Sequence, residues 1–169
     1  MYIEKATLDD VPALCVLVNT SYRGAESLKG WATEGDLIDG ARIDEDTLAA
    51  YIDDPDSVIL KYTNPEGVLQ ACVYLQTRVD KMYLGMLTVL PTLQDKGIGR
   101  QLLFAAEEYA VRQGCSKVEM TVISIRHGLI EWYKRRGYHL TGQTHPFHPD
   151  GKFGVPRLPL ELVVLEKQL

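Results

Sequence analysis

Seven consecutive residues, Gln94-Asp95-Lys96-Gly97-Ile98-Gly99-Arg100, set two closely spaced glycines between two cations. They follow the apolar run Leu87-Thr88-Val89-Leu90-Pro91 and precede Leu102, Leu103, Ala106 and Ala110, which fall on one face of a helix. A strand that turns through glycines into a helix leaves backbone N–H groups without partners and points the positive end of the helix dipole outward. Such a turn holds an anion, a phosphate in particular. Gly97 and Gly99 let the backbone approach phosphate oxygens, and Lys96 and Arg100 add charge. The bland reading of the same letters is a tight turn, so the placement between strand and helix carries the argument. A Walker loop does not fit, because residues 35–42 supply only Gly35 and Gly40, with Ala41 where lysine belongs. A dinucleotide fingerprint fits poorly too, since Leu102 stands where it needs a third glycine and the strands upstream read as antiparallel.

Other residue types suggest proton transfer and recognition. Tyr133 shares a helical face with Leu129 and Ile130, which by periodicity alone makes it a core aromatic. Glu119 lies in the strand after the glycine-turn helix, where a carboxylate serves as a base directly or through water, although alternation does not fix its face. Tyr22, Arg23, Trp31 and Glu34 form a mixed aromatic and charged set in residues 22–40, a segment interrupted by Gly24, Gly30, Gly35 and Gly40. Long irregular segments in compact domains are often functional, and otherwise their polar residues are simply solvated. His145-Pro146-Phe147-His148 resembles a metal pair only superficially and reads as loop, and His127 and His139 stand apart, so no metal site is expected.

The elements that must position these residues follow from pattern. Residues 2–6 predict a strand, and Thr7-Leu8-Asp9-Asp10 a capping box before Val11, Leu14, Leu17 and Val18 at helical spacing. Residues 46–52 predict a short helix that ends before Pro55. Three β-rich runs at 57–62, 68–76 and 82–90 are joined by short turns and predict an antiparallel meander. A helix over 99–113 ending at Gly114 and a strand over 117–123 complete one βαβ unit. A short helix closed by Gly137, a strand begun at 138–141, a long loop over 142–159 and a last strand over 160–165 follow. The class is α+β, with a mixed, mostly antiparallel central sheet flanked by helices.

Taken together, Leu87 to Pro91, the Gln94-x-x-Gly97-x-Gly99 turn with Leu102-Leu103 behind it, Val118 to Val122, and Trp132-Tyr133-Lys134-Arg135-Arg136-Gly137-Tyr138 resemble the GNAT N-acyltransferase superfamily. The resemblance implies the acyl-CoA N-acyltransferase fold and an acetyl group moved from acetyl-CoA, as co-substrate, to a primary amine of a small molecule, amino acid or peptide. It implies that Leu87 and Val89 bond the pantetheine arm through their backbone, like an added strand. Gln94, Lys96, Gly97, Gly99 and Arg100 would bind the pyrophosphate, and Tyr133 would be the general acid. Tyr22, Arg23, Trp31 and Glu34 would contribute to the acceptor side, with Glu119 as a candidate base. The family often has asparagine seven residues before the tyrosine. Here that position is Arg126, read as a surface charge rather than a cofactor contact.

Composition bounds the rest. A chain of 169 residues of which 46% are apolar or aromatic supports one core, so a single domain over 1–169 is expected. A net charge of -5 and no cationic run longer than Lys134-Arg135-Arg136 argue against nucleic acid as a partner. Cys15, Cys72 and Cys115 are scattered in apolar stretches and read as buried thiols in a reducing compartment. With no apolar run of membrane-spanning length and no leader-like start, no membrane association and a cytoplasmic location are expected. Two readings stay open on function, an enzyme and an acyl-CoA-binding sensor without turnover. The oligomeric state, a homodimer included, is not legible.

Overall fold

The computed structural model describes residues 2–147 and 153–169. Its elements are β1 (Tyr2–Lys5), α1 (Val11–Tyr22), α2 (Gly24–Ser27), β2 (Ile38–Asp39), α3 (Glu45–Asp53), β3 (Ser57–Thr63), β4 (Leu69–Arg78) and β5 (Lys81–Val89), followed by α4 (Ile98–Arg112), β6 (Lys117–Ile123), α5 (His127–Lys134), β7 (His139–Pro146), β8 (Val155–Pro156) and β9 (Glu161–Gln168). Seven strands form one sheet in the order β1-β3-β4-β5-β6-β9-β7, and β2 pairs with β8 separately. Every neighbour in the large sheet is antiparallel except β5 and β6. A parallel pair needs a crossover, and α4 supplies it. The α+β class and the meander feeding one βαβ unit are therefore as the sequence predicts.

The helices cover both faces because the strands alternate. On one face Leu102, Leu103, Ala106 and Ala110 of α4 pack with Val73, Leu84, Val118 and Met120 of the sheet. On the other, Leu14, Leu17 and Val18 of α1 and Leu48 of α3 pack with Ile59, Cys72 and Met86. α1 is entered as the sequence suggests, through a capping box in which the Thr7 N–H donates to Asp10 Oδ2 at 2.8 Å; the box first closes a short 3-10 turn, Leu8–Asp10.

A one-residue irregularity in β5 positions everything that follows. Cys72 pairs with Thr88 and Tyr74 with Gly85, so Val73 faces both Met86 and Leu87. Met86 takes a left-handed φ of 54° to make this bulge. A one-residue slip reverses which side chains face which side of a sheet. Met82 and Leu84 face α4, Met86 faces α1, and beyond the bulge Leu87 and Val89 return to the α4 side. The same region marks the end of β5–β6 pairing: it is recorded only from Lys81–Lys117 to Tyr83–Glu119. Past that point the two strands separate.

Two expectations are corrected at the C-terminal end. The strand begun at residue 138 does not give way to loop at 142, because β7 runs from His139 to Pro146 against β9. It is an edge strand with almost every residue exposed, so it lacks the apolar alternation that marks a strand in a sequence. β9 likewise runs on to Gln168, paired with β6 along its length. His145 is exposed on β7, and His148 lies outside the described residues. Cys72 and Cys115 are buried and Cys15 partly so, all three as free thiols. Among the described residues no helix is long and apolar enough to cross a membrane.

Candidate active site

A cavity of about 460 Å³ lies at the end of β5, walled by Leu87 and Val89, by the turn before α4, and by Trp132 and Tyr133 of α5. The turn is built for it. Gly97 caps α4 at φ 83°, a left-handed conformation that favours glycine, and a side chain there would point into open space. Among the described residues no side chain caps the start of α4. Gly99 is where close approach matters: a Cβ would lie 3.5 Å from Trp132 and 3.6 Å from Val89. Glycine therefore keeps the passage between those two side chains wide.

The rim of this cavity is cationic although the chain as a whole is acidic. Lys96, Arg100, Arg135 and Arg136 line it against the single carboxylate of Asp95. The Arg136 guanidinium lies 3.6 Å from the centre of the Trp132 ring and donates to the Trp132 carbonyl at 2.7 Å, while its Nε is buried without a partner among the described residues. Burial, then the neighbouring charges of Arg135 and Arg100, press its pKa below the usual arginine value. Crowded cations of this kind are relieved by an anion. An uncapped helix start, a glycine-lined passage and a cationic rim together fit the pantetheine and phosphates of CoA. Trp132, Arg135 and Arg136 were not singled out from the sequence as site residues. Their signal is the spacing of Trp132 and Arg136, four apart, which stacks a cation on an aromatic at a helix end.

Gln94 also lines the cavity, but its amide is committed to the protein. Its Oε1 accepts from the Ala32 N–H at 3.1 Å and its Nε2 donates to the Val89 carbonyl at 3.2 Å. The side chain ties the segment after α2 to the end of β5. Trp31 stands beside it, 41% exposed, with its ring centroid 6.4 Å from that of Trp132. It lines this cavity and not the one described next.

A second cavity of about 280 Å³ opens where β5 and β6 separate, between Gly85, Met86 and Leu87 on one side and Thr121, Val122 and Ile123 on the other. Tyr22, Leu87, Arg126, Leu129 and Tyr133 line both cavities. Tyr133 is 5% exposed and held edge-on by Trp132 and Tyr138, at centroid distances of 5.0 and 5.6 Å. Its hydroxyl has no hydrogen-bond partner among the described residues. Burial first, then the nearby Tyr22, pushes its pKa above the ordinary tyrosine value, so it keeps its proton through the neutral range. The Tyr22 hydroxyl donates to the Leu87 carbonyl, and burial, helped by Glu34, pushes its pKa up to about 12.

Glu34 sits between two guanidiniums. Its Oε2 accepts from Arg23 Nε at 3.2 Å and its Oε1 lies 3.4 Å from Arg126 Nη1. Arg23 also reaches the carbonyls of Gly40, Ala41 and Phe153, and Arg126 donates to the Ala32 carbonyl at 2.6 Å. The reading of Arg126 as a surface charge is thus corrected: its side chain is only 10% exposed, because Glu34 draws it inward. Glu119 is not brought into this group. β6 turns Val118, Met120 and Val122 toward α4, which puts Glu119 on the opposite face, paired with Lys81 at 2.8 Å and lining neither cavity.

The fold agrees with that of other proteins of known structure. The structure superposes on the ribosomal-protein-S18-alanine N-acetyltransferase of Escherichia coli with a TM-score of 0.73 at 16% identity, over 99% of this chain and 92% of that one. The ribosomal-protein-alanine N-acetyltransferase of Brucella melitensis gives 0.74 at 19% identity over 100% of both chains. The PaiA N-acetyltransferase of Thermoplasma acidophilum, solved in complex with coenzyme A, gives 0.70 at 18% over 100% of both. At these identities the likeness is one of fold. No curated protein matches the sequence. The model of the acetyltransferase (GNAT) family, however, matches residues 15–138, a span holding the bulged strand, the glycine turn and Tyr133. The chain belongs to the acetyltransferase (GNAT) family.

Proposed function

We propose that the chain is an N-acetyltransferase that moves the acetyl group of acetyl-CoA to a primary amine of a small molecule, amino acid or peptide. The observation that carries this reading is the wall shared by the two cavities, with a protonated tyrosine, Tyr133, and Leu87, whose carbonyl accepts from the Tyr22 hydroxyl, between a cationic cleft and a separate acceptor chamber. Acetyl-CoA brings a thioester: the amine nitrogen bonds to its acyl carbon, the carbon–sulfur bond breaks, and one proton passes from nitrogen to sulfur, leaving an amide and free thiol. Lys96, Gly97, Gly99 and Arg100 would hold the phosphates, and the backbone of Leu87 and Val89 the arm. Tyr133 holds the proton that a departing thiolate requires. Glu119, committed to Lys81, would act as a base only through a route other than direct contact with either chamber.

Thiol release from acetyl-CoA, measured across a panel of amines, tests the proposal. Turnover above hydrolysis supports an enzyme, whereas tight CoA binding with none would make the chain a sensor. Tyr133→Phe should bind acetyl-CoA like the parent but turn over about 10- to 1000-fold more slowly, since only the hydroxyl is removed. Parental turnover by that variant, under conditions where chemistry limits the rate, would take Tyr133 out of the mechanism.

A further inference from the structure

The acceptor chamber carries a charge pattern of its own. Its walls include three guanidiniums, those of Arg23, Arg42 and Arg126, against one carboxylate, that of Glu34. Two of the three are spent. Arg23 and Arg126 share Glu34 and give their remaining contacts to backbone carbonyls. Arg42 is different: its guanidinium lies 5.6 Å from the centre of the Tyr22 ring, and among the described residues it has no carboxylate or hydrogen-bond partner. Tyr22 also lines the boundary with the cofactor-side cavity. The open cation therefore stands beside the place where an acceptor nitrogen must arrive.

The rest of the wall is mixed, with the apolar side chains of Met86, Met120, Phe147 and Leu162 beside Tyr83 and Thr121. The chamber's volume of about 280 Å³ is just under the range for small-molecule sites, roughly 300–1000 Å³. We infer that the acceptor is a small amine that also bears a carboxylate on an apolar body, the chemistry of a hydrophobic α-amino acid, with Arg42 as the carboxylate-binding residue. This rests on the N-acetyltransferase reading and narrows it.

Two physical consequences favour such an acceptor over the alternatives. A polyamine would bring further positive charge into a chamber whose described wall is net positive, and none of the described residues of that wall offers an unpaired carboxylate. A carboxylate-bearing amine neutralises Arg42, while the surplus cations lower the pKa of its ammonium and favour the neutral, nucleophilic form. A peptide amino terminus has an amide where the free amino acid has its carboxylate, so it forgoes the contact.

The experiment compares leucine and phenylalanine with isoamylamine and phenethylamine, which keep the amine and body but lack the carboxylate. Leucine amide and spermidine complete the set, and kcat/KM is read by thiol release from acetyl-CoA. The amino acids should exceed their decarboxylated and amidated counterparts about tenfold or more, the scale of one charged hydrogen bond. Arg42→Gln should raise KM for leucine and shrink the leucine-to-isoamylamine ratio about tenfold, with Arg42→Lys recovering part of it and CoA affinity by calorimetry reporting an intact fold. Equal or faster turnover of isoamylamine, leucine amide or spermidine by the parent would overturn the acceptor class and leave N-acetyl transfer standing. If no amine is turned over, calorimetry of the CoA-saturated protein with N-acetylleucine and with N-isoamylacetamide decides. Binding that depends on the carboxylate keeps the Arg42 site while the transfer reading falls, and binding that does not overturns both.

Discussion

The two cavities that meet at Tyr133 are made in opposite ways. The cofactor side comes largely from two short stretches, residues 87–100 and 129–136, and its polar groups point outward unmet: an uncapped helix start, an orphaned Arg136 Nε and a row of cations. The proposed acceptor side gathers residues from 22–42, 83–87 and 120–133 with Phe147, Phe153 and Leu162, and most of its described charges are already matched within the protein. Arg23, for instance, bonds the carbonyl of Phe153, 130 positions away in sequence. One side is a local motif waiting for an anion. The other is a long-range assembly whose charges hold the chain together before any ligand comes.

If that contrast is right, damage to the first side should cost binding and spare the fold. Gly99→Glu is the sharpest test, since a Cβ fits at 3.5 Å from Trp132 but the carboxylate would fill the passage and repel phosphate. A glutamate also suits the first turn of a helix, so the fold should hold. CoA affinity in calorimetry should fall about 1000-fold or more, some 4 kcal/mol, with an unchanged circular dichroism spectrum. A folded variant with parental affinity would contradict the anion-site reading.

Damage to the second side should instead cost stability. Glu34→Ala leaves Arg23 and Arg126 facing each other with no counter-charge, and breaking a buried pair this way costs about 3 kcal/mol. The urea midpoint reports it, and a midpoint within error of the parent would mean that the triad does not fasten residues 23–42 to the body.

The smallest effect is expected at the border. Tyr22→Phe loses the hydrogen bond to the Leu87 carbonyl, about 1 kcal/mol. Because the folded pKa of Tyr22 is raised to about 12, the stability tied to its proton is complete below the ordinary tyrosine pKa of about 10 and is lost as pH climbs toward 12. The gap between parent and variant should therefore be constant from pH 7 to 9 and close above pH 10 in urea titrations. A gap that widens with alkali would contradict burial as the cause.

The same contrast explains what could be read in the sequence. The glycine turn and α4 were legible because their pattern lies within a few residues: glycines at a strand-to-helix junction and apolar positions at helical spacing, whereas the spacing of Tyr133 gave only its buried face and its role came by resemblance. Arg126 was not, because its role is set by Glu34, 92 positions earlier, and nothing local marks an arginine that will turn inward. The face of Glu119 was equally hidden, since it depends on the register of β6. The full length of β7 was missed for a different reason: an edge strand wet on both sides carries no alternation, and Gly142 and Pro146 read as loop.

The bulge at Met86 has a further meaning for the molecule as a whole. Ordinarily an unpaired strand border sits on the outside of a protein, where any passing chain can zip onto it, and natural proteins guard against that. Here the border is in the middle of the sheet, opened by a single extra residue and roofed by α4 and α5. What would be a hazard on the surface becomes a slot inside the protein. Such a place suits a thin flexible thread and not another sheet, which would keep the sociable chemistry of an open β-edge for small visitors alone.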